Sequence, residues 1–161
     1  DFLKKLNGDL YAILKHSGTP LLTTACYLVA DWKTGVLRYA NAGHPKPLHV
    51  RRSARQIVTL ANASGKGQPA LGLMENTGYQ TTEALLQPGD LVFLFTDGLV
   101  EVQNEHNDLY DQQLLVAALQ KRIDLPTSKA FDELLDEVRA FSGDAAFSDD
   151  VCLVGVELSQ S

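Results

Sequence analysis

The chain has 161 residues, 45% of them hydrophobic and 21% charged, which suits one domain, residues 1–161, with a buried core. Its 14 Lys and Arg stand against 20 Asp and Glu, a formal net charge of −6, so no broad basic face is available and nucleic acid is excluded as a partner. No apolar run has the length of a membrane helix, and the opening Asp1-Phe2-Leu3-Lys4-Lys5 lacks the apolar region of a secretory signal, so a cytoplasmic protein with no membrane partner is expected.

Phe2, Leu6, Leu10 and Ile13 or Leu14 recur at spacings of three and four, which predicts an amphipathic helix over residues 1–16. The helix has no lead-in and no cap, so the chain reads as a domain cut part-way. Gly18, Thr19 and Pro20 break it. Residues 22–31, rich in Thr, Tyr and Val, predict a strand; Asp31-Trp32-Lys33-Thr34-Gly35 is a turn; residues 36–40 return as the second strand of a hairpin. Short strands are expected over residues 48–52 and 56–60, then a loop over 61–68, then a strand over 81–86. Gln87-Pro88-Gly89-Asp90 carries Pro and Gly where a type II turn favours them. Leu91-Val92-Phe93-Leu94-Phe95 is apolar without alternation, as a strand covered on both faces is, and ends in Thr96-Asp97-Gly98.

Two helices follow. Leu114, Leu115, Ala118 and Leu119 give the first its apolar face; Phe131, Leu134, Leu135, Val138 and Phe141 give the second, with Thr127 or Ser128 as N-cap and Gly143 past its end. Residues 151–158 form the last strand. Cys26 and Cys152 lie in apolar runs and are expected as small buried hydrophobes in a reducing compartment, without a disulfide framework. Antiparallel strands with grouped helices indicate an α+β fold of layered sheets and helices.

The order of elements carries chemistry. A strand leaves the core at Asp97, the chain makes two helices, and a strand re-enters after Asp149-Asp150. Two antiparallel helices return a chain to the end it left, so the last strand should run antiparallel to the departing one and bring Asp97 and Asp149 or Asp150 to one edge. Carboxylates about 4 Å apart repel by roughly 4 kcal/mol at an effective dielectric near 20, unless a cation or a shared proton relieves them. Hard oxygen donors suit magnesium or manganese. Gly98 suits a backbone that closely approaches a bound group. The plain alternative is that Asp-Gly is a turn and Ser-Asp-Asp a strand entry.

Three segments decide between these readings: Tyr39-Ala40-Asn41-Ala42-Gly43-His44-Pro45 with Pro47-Leu48; Pro88-Gly89-Asp90-Leu91-Val92-Phe93-Leu94-Phe95-Thr96-Asp97-Gly98-Leu99-Val100-Glu101; and Ser148-Asp149-Asp150-Val151-Cys152-Leu153-Val154. In this order they closely resemble the bacterial SpoIIE/RsbU-type serine/threonine phosphatases, a branch of the metal-dependent PP2C-like phosphatases, over residues 1–158. The resemblance implies an antiparallel β-sandwich flanked by helices with a dinuclear Mn²⁺ or Mg²⁺ centre at one edge. There a metal-bridging water attacks phosphoserine or phosphothreonine. By motif, Asp97 and Asp149 would be metal ligands with Gly98 beside them, and Asp150 matches a position that supports a ligand or faces substrate. Asn41, Gly43 and His44 match a loop near the centre, where Asn41 and His44 are the catalytic candidates. His44 could bind an additional metal, orient phosphate, or only hydrogen-bond its loop.

Glu101 reads either as a support for Asp97 or as a solvated side chain. His16, His49 and His106 lack a partner at metal-ligand spacing and read as surface or structural. Lys4, Lys5, Arg51, Arg52 and Arg55 read as solvated faces, the last three able to steer an acidic phosphoprotein.

The resemblance also implies an Asp-x-x-Gly-His-Gly type motif ahead of the first helix, whose aspartate bridges the metals; nothing like it occurs here. Asp97 and Asp149 alone are too few to hold two divalent cations against hydration. One reading is an N-terminally truncated phosphatase domain, lacking its first strands and weakly active or inactive as a fragment. Its parent would bear sensory or receiver domains and act on a phosphorylated regulatory protein of the anti-sigma-factor-antagonist kind. The alternative is a catalytically inactive pseudophosphatase that serves as a regulatory binding module. A homodimer covering an open sheet edge is a further expectation.

Overall fold

The apolar stripe at the start of the chain forms α1, Phe2–Leu14, in a computed structural model that describes residues 2–16, 21–143 and 147–159. Two units are distinguished by their contacts, Asp1–Lys46 with Leu60–Leu86, and Pro47–Thr59 with Gln87–Ser161.

In the first unit α1 buries Leu3 and Asn7, with Leu6 and Leu10 packed beside Ala40, Ala42 and Leu71. Phe2 and Ile13, counted on the buried stripe from spacing, are instead 56% and 68% exposed. The cause is Asn7, fully buried and polar, which a count of apolar residues overlooks. Its Nδ2 donates to Met74 O at 2.8 Å, and its Oδ1 accepts from Gly72 N at 2.8 Å and Tyr79 Oη at 3.1 Å. The buried face therefore turns toward the loop that these bonds hold. The predicted break at residues 18–20 lies outside the described residues.

β1, Ala25–Asp31, and β2, Val36–Ala42, form the expected hairpin. Its turn is shaped by the Asp31 carboxylate, which accepts from Lys33 N at 2.9 Å and Thr34 N at 3.3 Å. Those bonds hold Asp31 below its ordinary carboxyl pKa. β2 also pairs antiparallel with β5, Thr82–Leu85, giving the order β1-β2-β5.

The second unit holds β3, Leu48–Arg51, β4, Gln56–Thr59, β6, Leu91–Phe95, and β7, Leu153–Glu157, in the antiparallel order β4-β3-β6-β7. β6 has a neighbour on each side and is buried except at Leu94, which accounts for its unbroken apolar run. β7 is an edge strand with mostly exposed residues. Cys152, expected buried, is accordingly exposed just before it; both thiols are free.

α2, Gln112–Lys121, is capped by the Asp111 carboxylate, which accepts from Gln113 N and Leu114 N at 2.9 Å each. α3, Thr127–Phe141, begins after Pro126 with no side-chain cap, so neither Thr127 nor Ser128 caps it. The Thr127 hydroxyl is engaged elsewhere, donating to Glu157 Oε2 on β7 and accepting from Arg52 at 2.9 Å. Gly143, at φ +67°, stops the helix as expected. Leu48, Phe93, Phe95, Leu99, Leu115, Leu119, Leu134 and Val138 form the core, with Phe131 edge-on to Phe93 at 5.1 Å between ring centres.

Candidate active site

β6 and β7 pair antiparallel with Phe95 opposite Leu153, the arrangement the element order predicts. Beyond the last pair Thr96 continues the join. Its N–H donates to Cys152 O at 3.1 Å, and its hydroxyl donates to Asp150 O at 2.8 Å while accepting from Cys152 N at 2.9 Å. The chain then closes a short 3₁₀ turn, Asp97–Leu99, in which Asp97 O accepts from Val100 N at 2.8 Å and Glu101 N at 3.0 Å.

Gly98 is buried inside this turn. A Cβ there would stand 2.7 Å from Asp150 O and 3.2 Å from Asp149 O, so the two acidic segments touch through backbone. The close approach at Gly98 is thus to the chain's own carbonyls. Asp97, Asp149 and Asp150 are all exposed, and among the described residues none enters an ion pair. Asp149 Oδ1 accepts from Asp150 N at 2.7 Å, which orients that carboxylate.

These groups match a divalent cation in kind but not in number. Asp97 and Asp149 offer hard oxygens at one edge, yet among the described residues no group of three or more His, Cys, Asp or Glu could hold a metal ion. A dinuclear centre is therefore not assembled by the described residues, because each hard cation needs about six oxygens and gives up water reluctantly.

Asn41, Gly43 and His44 form a second constellation, at the end of β2 in the first unit. The Asn41 amide spans the turn, Oδ1 accepting from His44 N and Nδ2 donating to His44 O, both at 2.9 Å. Gly43, at φ +71°, packs so tightly that a Cβ would lie 2.9 Å from Ala70 N. His44 Nδ1 lies 3.1 Å from Thr24 Oγ1, which fixes the ring. Asn41 thus shapes the loop that displays His44.

The other histidines divide by burial. His16 and His106 are exposed, whereas His49 is fully buried with Nε2 2.8 Å from Asp90 Oδ2. Arg51 Nε donates to His49 Nδ1 at 3.4 Å, so Nδ1 is the acceptor and the Nε2 proton is directed at Asp90. Asp90 Oδ2 also accepts from Gln87 N at 2.9 Å, tying the Pro88-Gly89 turn to β3. Arg55, read from sequence as solvated, is exposed and pairs at the surface with Asp124 at 2.6 Å, whereas Arg52 is half-buried and reaches Glu157 at 3.4 Å. The Glu101 side chain is exposed. Sequence reasoning missed Thr96, whose only signal was a hydroxyl residue at a strand end.

The model of the family "Stage II sporulation protein E (SpoIIE)" matches residues 1–159. The chain belongs to the SpoIIE family. Among curated proteins it is similar to Protein IcfG of Synechocystis sp., 26% identical over 157 residues that are 94% of this chain and 23% of that protein. Among solved structures this SpoIIE-family chain resembles the SiaA-PP2C domain of Pseudomonas aeruginosa, with TM-score 0.80, 18% identity, and 96% of this chain on 58% of that one. The phosphatase domain of SpoIIE from Bacillus subtilis, presoaked with Mn, gives TM-score 0.66 and 15% identity over 86% of this chain and 57% of that one. The chain therefore has a PP2C-like fold, with two antiparallel sheets and three helices among the described residues, and spans less than two thirds of the length of these relatives. No described helix is long and apolar enough to cross a membrane.

Proposed function

We propose that the protein containing this chain hydrolyses phosphoserine or phosphothreonine on a bacterial regulatory protein of the anti-sigma-factor-antagonist kind, in a reaction dependent on Mn²⁺ or Mg²⁺. The observation that carries the proposal is the contact of Asp97-Gly98 with Asp149-Asp150, in a chain of the SpoIIE family. A pure scaffold gains nothing from unpaired carboxylates held at one edge.

Within that function Asp97 and Asp149 are the ligands this chain contributes, and Asp150 stands beside them. A divalent cation held there would supply Lewis-acid charge to a phosphoryl group. The chain's own part is preorganisation. Thr96 fixes the Asp150 carbonyl and Gly98 admits it at close range, so the acidic edge is built before any ligand arrives. On this proposal the chain is the output part of a larger signalling protein.

The test is an assay of the full-length parent and its Asp97→Ala variant, with manganese, on a phosphoserine protein. Loss of turnover by two orders of magnitude or more in the variant is the expected result, since the acidic edge acts as a unit. Equal activity in both, or none in either, would overturn the enzymatic proposal.

A second reading, a pseudophosphatase that binds a regulatory partner without metal, is favoured by one observation: no three-ligand group among the described residues. Partner binding by the parent that is unchanged by EDTA, with no turnover in manganese, would select it.

A further inference from the structure

The β6–β7 ladder does not end as its register requires. In an antiparallel pair, every second pair of facing residues exchanges both of its N–H···O=C bonds. Here those are the even positions: Val92 faces Val156 and Leu94 faces Val154, and at the far end Leu158 N donates to Asp90 O at 3.0 Å. Thr96 and Cys152 come next. Thr96, at φ −83° and ψ 160°, is still extended, and its N–H makes its half of the exchange, donating to Cys152 O at 3.1 Å. The returning bond goes elsewhere. Cys152 N donates to Thr96 Oγ1 at 2.9 Å, while Thr96 O accepts from Leu99 N at 3.1 Å.

The Thr96 side chain therefore stands in for the residue's own carbonyl. A hydroxyl has one proton and two lone pairs; this one gives its proton to Asp150 O at 2.8 Å and accepts from Cys152 N. Released from the ladder, the carbonyl is free to start the turn Asp97–Leu99. A main-chain oxygen still held by Cys152 N would compete with that turn's first bond and let the strand run on. One group thus ends β6, launches the turn that carries Asp97, and grips the segment that carries Asp149 and Asp150.

We propose that Thr96 is a positioning residue: its hydroxyl replaces its carbonyl in the β6–β7 ladder and so sets Asp97 against Asp149-Asp150. Valine at this position keeps the branched shape but lacks the hydroxyl. It leaves Asp150 O without its donor, and Cys152 N then takes the residue-96 carbonyl back from Leu99. Serine keeps both side-chain bonds. The consequence for turnover rests on the phosphatase function proposed above, whereas the exchange of bonds does not.

The experiment begins with this chain, free of metal, and NMR couplings across its hydrogen bonds. A coupling from Leu99 N to the Thr96 carbonyl carbon is expected; one from Cys152 N to that carbon would overturn the proposal, and this wild-type measurement decides even where the valine variant fails to fold. Amide exchange at Leu99 should be about ten-fold faster or more in Thr96→Val and return to the wild-type rate in Thr96→Ser, with the β3 amides as the unchanged reference. In the full-length parent, Thr96→Val should raise the manganese concentration for half-maximal turnover about ten-fold or more, and Thr96→Ser should recover it; a loss of folded protein lowers kcat without that shift. Equal Leu99 exchange, or an equal manganese requirement, in wild type and Thr96→Val would overturn the proposal. No turnover in the wild-type parent would remove the phosphatase function instead, and the couplings and exchange would still decide the role of Thr96.

Discussion

Replacing Gly98 with alanine sets two effects of opposite sign against each other. Gly98 is not among the glycines with positive φ, so its backbone accepts alanine. On that ground alone the substitution would stabilise by about 0.4–1 kcal/mol through the unfolded chain. The Cβ, however, would stand 2.7 Å from Asp150 O and 3.2 Å from Asp150 C, well inside the roughly 3.3–3.6 Å at which carbon meets a carbonyl oxygen. The colliding group is backbone, pinned by the Thr96 hydroxyl, and cannot swing away as a side chain would. Overpacking of this kind costs about 1–3 kcal/mol, so Gly98→Ala should destabilise by about 1–2 kcal/mol. Gly8, inside α1 with nothing within 4 Å of a Cβ, is the matched control. There alanine should stabilise by about 0.5–1 kcal/mol. Urea denaturation followed by circular dichroism compares the two, with unchanged slope as the condition for reading midpoints as stability. Stabilisation by Gly98→Ala similar to that by Gly8→Ala would refute the contact between the two acidic segments.

Asp90→Ala leaves the buried His49 Nε2 proton without its acceptor and should cost about 1–3 kcal/mol in the same denaturation assay, with Asp90→Asn milder because it keeps an acceptor. Asn41→Ala removes both bonds across the His44 turn and should cost about 1–3 kcal/mol; Asn41→Asp, which keeps only the accepting half, should fall between. Burial pushes the Cys26 thiol up to about 11, so at pH 8 iodoacetamide should alkylate the exposed Cys152 alone, and both thiols only in denaturant. The sign for stability follows. A thiol raised in the folded state adds stability that is complete below its ordinary value near 9 and is lost as pH climbs toward 11, which pH-dependent melting of wild type against Cys26→Ala would measure.

The strands and the β6–β7 pairing were legible because apolar runs, Gly and Pro punctuate them strongly, and because two helices can return the chain only one way. The acidic edge was legible for the same reason, as a consequence of order rather than of local pattern. What stayed hidden depends on polar side chains acting at a distance. Asn7 turned the buried face of α1, Thr127 left its cap for Glu157, and His49 found Asp90 across 41 positions. None of these has a periodic signature, because each is fixed by a partner that only the folded chain brings near. Cys152 failed on a different count: an apolar neighbourhood in sequence does not say whether a strand lies in the middle of a sheet or at its edge.

Manganese titration of this chain tests the acidic edge without assuming turnover. A ligand that binds only the folded state stabilises by RT ln(1 + [L]/Kd). With two carboxylates as donors, affinity should be weak, with Kd on the order of 1 mM, since a hard cation keeps most of its water. A ten-fold excess over that Kd then gives about 1.4 kcal/mol, a rise of roughly 3–6 °C in Tm for a chain of this size. Asp97→Ala and Asp149→Asn should each abolish it, while Asp124→Asn, whose carboxylate is paired with Arg55, should leave it intact. Micromolar saturation would mean that further donors close on the cation and that the edge is a more complete site than Asp97 and Asp149 provide. A shift that survives Asp97→Ala would remove the edge as its origin, because a non-specific salt effect acts on all 20 acidic residues alike.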